Sequence, residues 1–145
     1  MKIHLRFDED LLLKRTKRNR PLLFGIAWEN DGVYYPSDRW IDFGVIIIGW
    51  WFYIAAKDPQ KLIESKLQFM DGPYSIKVSF DDQENNLKFE PEGIDVIWQT
   101  SIEEFRKELV FAATKIADKL SELDIDMESQ ITLKKAIYLL KSATE

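Results

Sequence analysis

The sequence predicts an α+β fold: an antiparallel β-sheet meander packed on a hydrophobic central helix, with two C-terminal helices. Three observations carry this. An uninterrupted apolar run, "FGVIIIGWWFYIAA" at residues 43–56, lies between Asp42 and Lys57-Asp58-Pro59. Residues 66–99 then alternate apolar and polar positions between strong turn signals. From Ser101 onward, apolar residues recur at helical spacing.

The elements follow in chain order. In "KIHLRF", Ile3, Leu5 and Phe7 alternate with Lys2, His4 and Arg6, the pattern of a half-buried strand. "LLFGIAW" sets Leu22, Phe24, Ile26 and Trp28 on one face, and Asn30-Asp31-Gly32 signals a hairpin into "VYY". Between these strands, the basic heptamer Lys14–Arg20 reads as a solvated loop.

The fourteen apolar positions of 43–56 are too few for a transmembrane helix, which needs about twenty. They are also more than twice the usual strand length. Ser37 or Asp38 after Pro36 can cap a helix, and Lys57 and Pro59 can end one. Trp40, Phe43, Ile47, Trp50 and Ile54 then form one stripe, while Ile46, Gly49 and Tyr53 make the opposite side apolar as well. Such a helix is expected to be surrounded, by a sheet on one side and helices on the other. Asp42 would lie one turn into it, serving either as a dipole contact or Arg39 partner, or as the mark of a functional surface.

After the helix, strands are expected at 66–70, 74–80, 86–90 and 94–99, with Asp71-Gly72-Pro73 as a turn. Ser101 and Glu104 form a capping box, followed by Ile102, Phe105, Leu109, Ala112, Ile116, Leu120 and Leu123 on one stripe. Asp126 can cap a last helix whose Leu133, Ile137 and Leu140 face inward. No repeat or linker divides the chain, so residues 1–145 read as one domain.

The net charge of −5 conceals an asymmetry. Residues 1–20 carry seven basic and three acidic groups, and the remainder thirteen basic and twenty-two acidic. An acidic body favours basic partners over nucleic acid. Cysteine is absent, which excludes disulfides, thiolate metal sites and a cysteine nucleophile. No signal peptide is visible at the N-terminus and no membrane span is expected, so a cytoplasmic location is the reading. His4 is the single histidine, and no triad, zinc spacing, Walker or dinucleotide motif occurs. A non-enzymatic protein without cofactor or metal is expected. Acidic clusters occur at Asp8, Glu9 and Asp10, and at Asp81, Asp82 and Glu84; both read first as exposed loops.

Two segments, "YPSDRWIDFGVIIIGWW" and "LQFMDGPYSIKV", resemble small bacterial proteins with a W-x-D-F…W-W helix followed by an F-M-D-G-P-Y turn. The match rests on Trp40, Asp42, Phe43, Trp50 and Trp51, then on Phe69, Met70, Asp71, Gly72, Pro73 and Tyr74. Members of that kind resemble immunity proteins encoded beside polymorphic or contact-dependent toxins. The resemblance implies a protein that neutralises a cognate toxin domain, basic and nuclease-like, through an acidic surface. Asp71, Tyr74, Asp81, Asp82 and Glu84, on turns of the sheet, are then the expected partner-binding residues. Alternatives are a small-molecule-binding or sensory domain with Trp28, Trp50, Trp51 or Trp98 lining a pocket, and a hydrolase using the acidic loops.

Overall fold

The first strand, β1 (Lys2–Arg6), pairs antiparallel with β2 (Phe24–Asn30), which continues through a tight hairpin into β3 (Val33–Tyr35). Asp31 and Gly32 both take positive φ there, which is why the turn needs Asn-Asp-Gly chemistry. A two-residue strand, β4 (Ile41–Asp42), pairs with the start of β2 and completes a four-stranded sheet. The computed structural model describes residues 1–144, and Glu145, the last residue of the expected single domain, lies outside them.

A second antiparallel sheet is a plain meander in the order β5 (Ser65–Gln68), β6 (Ser75–Asp81), β7 (Asn86–Pro91) and β8 (Trp98–Thr100). Leu67, Ile76, Val78, Leu87, Phe89 and Trp98 turn inward and are buried. Lys66, Lys77, Lys88 and Glu90 take the alternate positions of the other face. The expected strand at 94–99 forms only from Trp98. Residues 94–97 carry no ladder pairing, and Ile94 and Ile97 are exposed.

Four helices complete the α+β fold. Of the basic heptamer expected as a solvated loop, Lys14–Lys17 instead close the helix α1 (Glu9–Lys17), while Arg18–Arg20 follow it as an exposed turn. Asp8 caps the helix by accepting from the Leu11 N–H, Glu9 and Asp10 suit its first turn, and Leu12 anchors it in the core. The last two helices, α3 (Ile102–Glu122) and α4 (Met127–Thr144), pack against each other as expected. Ser101 Oγ accepts from the Glu104 N–H at 3.0 Å, and Asp126 accepts from the Ser129 N–H and hydroxyl. Leu133 and Leu140 are buried, with Ile137 half-buried beside them.

The central helix, α2 (Gly44–Ala55), starts later than the sequence suggested. Trp40, Ile41 and Asp42 are held in extended pairing by β2, with the Ile26 N–H donating to the Trp40 carbonyl. Neither Ser37 nor Asp38 caps the helix; Phe43 takes the N-cap position, and its side chain makes no capping hydrogen bond. Gly44 admits close contact with the Phe24 ring, which a Cβ would meet at 2.1 Å. The helix packs on α3, α4, β2 and β5, burying Ile47, Ile48, Trp51, Phe52 and Ala55. It is not surrounded, however. Gly49, Trp50 and Tyr53 face outward, so Trp50 does not share the inward stripe.

The core is threaded by aromatic rings. Phe89 meets Phe105 at 5.1 Å, Phe105 meets Trp28 at 6.0 Å, and Trp28 meets Trp51 at 5.5 Å. Trp51 in turn meets Phe69 at 5.4 Å. One chain of contacts thus passes from the second sheet through α3, the first sheet and α2, and returns to the second sheet's first hairpin.

Strand β1 is an edge strand, and Glu108 of α3 covers part of that edge by accepting from the Ile3 N–H at 2.8 Å. Burial pushes the Glu108 carboxyl above its usual range, although the Ile3 N–H and nearby Lys115 and Lys2 pull the other way. The folded state therefore holds this proton more tightly than the unfolded chain. Stability from this group falls as pH rises from the ordinary 4.5 through the raised value. Replacing Glu108 by Gln keeps an oxygen acceptor for Ile3 and removes the titration. Urea unfolding should show the variant gaining on the wild type between pH 4 and pH 7; a constant difference would refute this account.

Candidate functional site

The two segments that carry the family resemblance meet at one side chain. Asp42 is fully buried, with 0% exposure, and its partners are four N–H groups rather than Arg39. Its Oδ2 accepts from Trp40 Nε1 at 2.8 Å and from the backbone N–H groups of Met70 and Asp71 at 3.1 and 3.2 Å. Its Oδ1 accepts from the Phe43 N–H at 2.7 Å. A buried carboxylate is tolerated when several donors replace its water. Asp42 is therefore neither a surface marker nor part of α2. It ties the strand before the helix to the turn between β5 and β6.

That turn is fastened from other sides as well. The indole of Trp40 lies over Gly72, whose added Cβ would come within 2.7 Å of the ring, and over Tyr74 at 5.1 Å. The Tyr35 hydroxyl donates to the Glu92 carbonyl at 2.9 Å and accepts from the Ser75 N–H at 3.2 Å. Burial pushes this phenol up from its ordinary value, which keeps its proton in place as the donor. Trp51 Nε1 donates to the Gln68 carbonyl at 3.0 Å. These contacts join the first sheet, α2 and the second sheet around one hairpin.

The expected partner-binding residues fall into two groups at the two ends of β6. Asp71 and Tyr74 sit at the anchored turn, both exposed. Asp81 ends β6, with Asp82 and Glu84 just beyond it, about 20 Å away along the strand. Asp81 is committed to its own turn: Oδ1 accepts from the Gln83 and Glu84 N–H groups, and Oδ2 from Gln99 Nε2. Asp82 and Glu84 remain exposed at the tip.

This tip does gather acidic company that periodicity could not reveal. A shallow cleft of about 160 Å³ places the β6–β7 hairpin, at Phe80 and Asn85–Leu87, beside Asp58 and Glu103. Glu104 follows at the start of α3, so six carboxylates, including Asp58, Glu103 and the three tip residues, share one end of the molecule. Arg106 donates to the Ala55 and Lys57 carbonyls at the end of α2, and its positive charge, felt by Glu103 and Asp58, offsets part of this acidity.

A separate apolar feature lies along α2. Gly49, Trp50, Tyr53 and Ile54 line an open groove of about 410 Å³ with Lys66 and Gln68 of β5. Trp50 is 42% and Tyr53 70% exposed, and Lys57 Nζ stands 5.2 Å from the centre of the Tyr53 ring. Of the four tryptophans considered for a pocket, Trp28, Trp51 and Trp98 are buried in the core and Trp50 alone lines this groove. The signal that could have revealed the exposed stripe is Gly49, because a mid-helix glycine costs about 1 kcal/mol relative to alanine. A Cβ there would meet nothing within 4 Å, so packing inside the chain does not call for the glycine.

Among the described residues no helix is long and apolar enough to cross a membrane, and no three His, Cys, Asp or Glu residues are grouped to hold a metal ion. No protein-family model, curated protein or solved structure matches the chain.

Two substitutions test the anchored turn. Asp42→Asn places an amide N–H₂ against at least one of the four donors and should cost about 2–4 kcal/mol in urea unfolding. Gly72→Ala forces the Trp40 ring aside and should cost about 1–3 kcal/mol. Losses below about 0.5 kcal/mol for both would show that the network is not what holds the hairpin.

Proposed function

We propose that the chain is a toxin-neutralising immunity protein, acting in the cytoplasm by binding and blocking a cognate bacterial toxin domain. The partner is a basic domain of nuclease type, met through the acidic end. The observation that carries the reading is the gathering of Asp58, Asp81, Asp82, Glu84, Glu103 and Glu104 at one end of the molecule. A basic nucleic-acid cleft is attracted by such an end, which speeds encounter and occupies the substrate's place. Supporting it are the two resemblance segments, which fold into one anchored unit around Asp42. That unit stiffens the frame from which the β6–β7 hairpin projects. Asp71 and Tyr74, at the opposite end of β6, then belong to this frame rather than to the toxin-facing surface.

Among the acidic groups, Asp82 and Glu84 are the ones to replace, because both are exposed and Asp81 builds the turn. The test is co-expression with the toxin domain encoded by the adjacent gene, followed by binding kinetics at several salt concentrations. The expected result is relief of toxicity and a complex whose association slows as salt rises. Asp82→Asn with Glu84→Gln should slow association about tenfold and flatten the salt dependence, whereas Asp71→Asn should change neither. No complex, or equal association by the double variant at low salt, would overturn the reading.

A further inference from the structure

We propose that the outward stripe of α2 is the interface of a two-fold symmetric homodimer. The geometry is self-complementary. Tyr53, a projecting ring, stands one helical turn from Gly49, a notch whose added Cβ would meet nothing within 4 Å. In an antiparallel pair of α2 helices about a two-fold axis, Tyr53 of each copy faces Gly49 of the other. That is the reciprocal contact an isologous interface requires. The helix penalty of Gly49, not repaid inside the chain, is then repaid by close approach of the second helix.

The charges along the stripe point the same way. Trp51 bonds to Gln68, and Asp42 bonds to the Met70 and Asp71 N–H groups. The strand β5 and the residues after it therefore run antiparallel to α2. Lys57 stands at the helix's C-terminal end and the exposed Asp71 at its N-terminal end. Lys66 is already ion-paired with Glu92 at 2.8 Å, which leaves Lys57 as the available cation. A two-fold axis through the middle of the helix sets Lys57 of each copy toward Asp71 of the other. The surface is thus complementary to its own inverted image.

The exposed parts of Trp50 and Tyr53 amount to roughly 250 Å². That is about a third of the roughly 800 Å² per partner of a standard interface, with Ile54, Gln68 and Met70 extending the patch. Area does not by itself set the affinity of such a pair, so the test spans a wide concentration range. The proposal is independent of the toxin reading and shares no residue with the acidic end.

Sedimentation equilibrium of the full chain, from about 1 µM to about 500 µM, decides it. The expected result is a shift from 17.1 kDa to twice that mass. Gly49→Leu fills the notch, its Cβ meeting nothing within 4 Å, and should weaken the dimer at least tenfold while the melting temperature holds or rises. Lys57→Glu should weaken it, and Lys57→Glu combined with Asp71→Lys should restore it. A single monomeric mass at every concentration overturns the proposal, and so does a dimer indifferent to Gly49→Leu.

Discussion

The buried Asp42 carboxylate is the constraint on which the arrangement of the two sheets depends. Each sheet has its own hydrogen-bond ladder, and neither ladder fixes where the other sheet sits. Asp42 supplies that information. Its four N–H donors come from Trp40 and Phe43, on either side of β4, and from the first hairpin of the second sheet. A buried polar group without water is costly unless its partners are in place, so displacing the hairpin leaves Asp42 short of two of its four donors. Tyr35 reinforces the junction with a hydroxyl that bonds the first sheet to Ser75 and Glu92. Hydrophobic burial provides most of the driving force, but it is non-directional, and these two polar groups give it a register.

What was legible in the sequence follows from the range of the forces involved. The meander, the Asn-Asp-Gly hairpin and both C-terminal helices are set by local alternation, turn chemistry and capping, and they form nearly where the pattern puts them. The central helix was misjudged at its start because Ser37 and Asp38 satisfy capping statistics locally. The competing pull is a tertiary one, the pairing of Ile41 and Asp42 with Gly25 and Phe24 across the sheet. The first four residues of the basic heptamer are helical rather than loop for a related reason. Its helical signal lies in Asp8 and the Leu11–Leu12–Leu13 triplet just before it, and charge alone masks that signal.

The surface was less legible than the core. Turn residues Asp71, Tyr74, Asp81, Asp82 and Glu84 all look alike in sequence, as polar or aromatic positions beside a strand. The fold separates them by the length of β6 and gives them different work. Asp58, Glu103 and Glu104 join the hairpin tip only because the short 3₁₀ turn at Pro59–Lys61 and the start of α3 lie against it. Nothing in the spacing of those residues along the chain encodes that meeting. Glu103 and Glu104 also have a local reason to be acidic, since they complement the dipole at the start of α3. One pair of carboxylates therefore serves helix formation and adds to the field of the acidic end.

The apolar run at residues 43–56 shows how one helix can meet two demands. Its inner side carries Ile47, Ile48, Trp51, Phe52 and Ala55, which fill the space between the sheets and the C-terminal helices. Its outer side is equally apolar but unburied, and it contains a glycine that propensity disfavours. If the helix were merely a core element, alanine, lysine or glutamate at Gly49, Trp50 and Tyr53 would strengthen it and improve solubility. The residues present do neither. The inner half of α2 is thus accounted for by folding, and the outer half is the part that packing within the chain leaves unexplained.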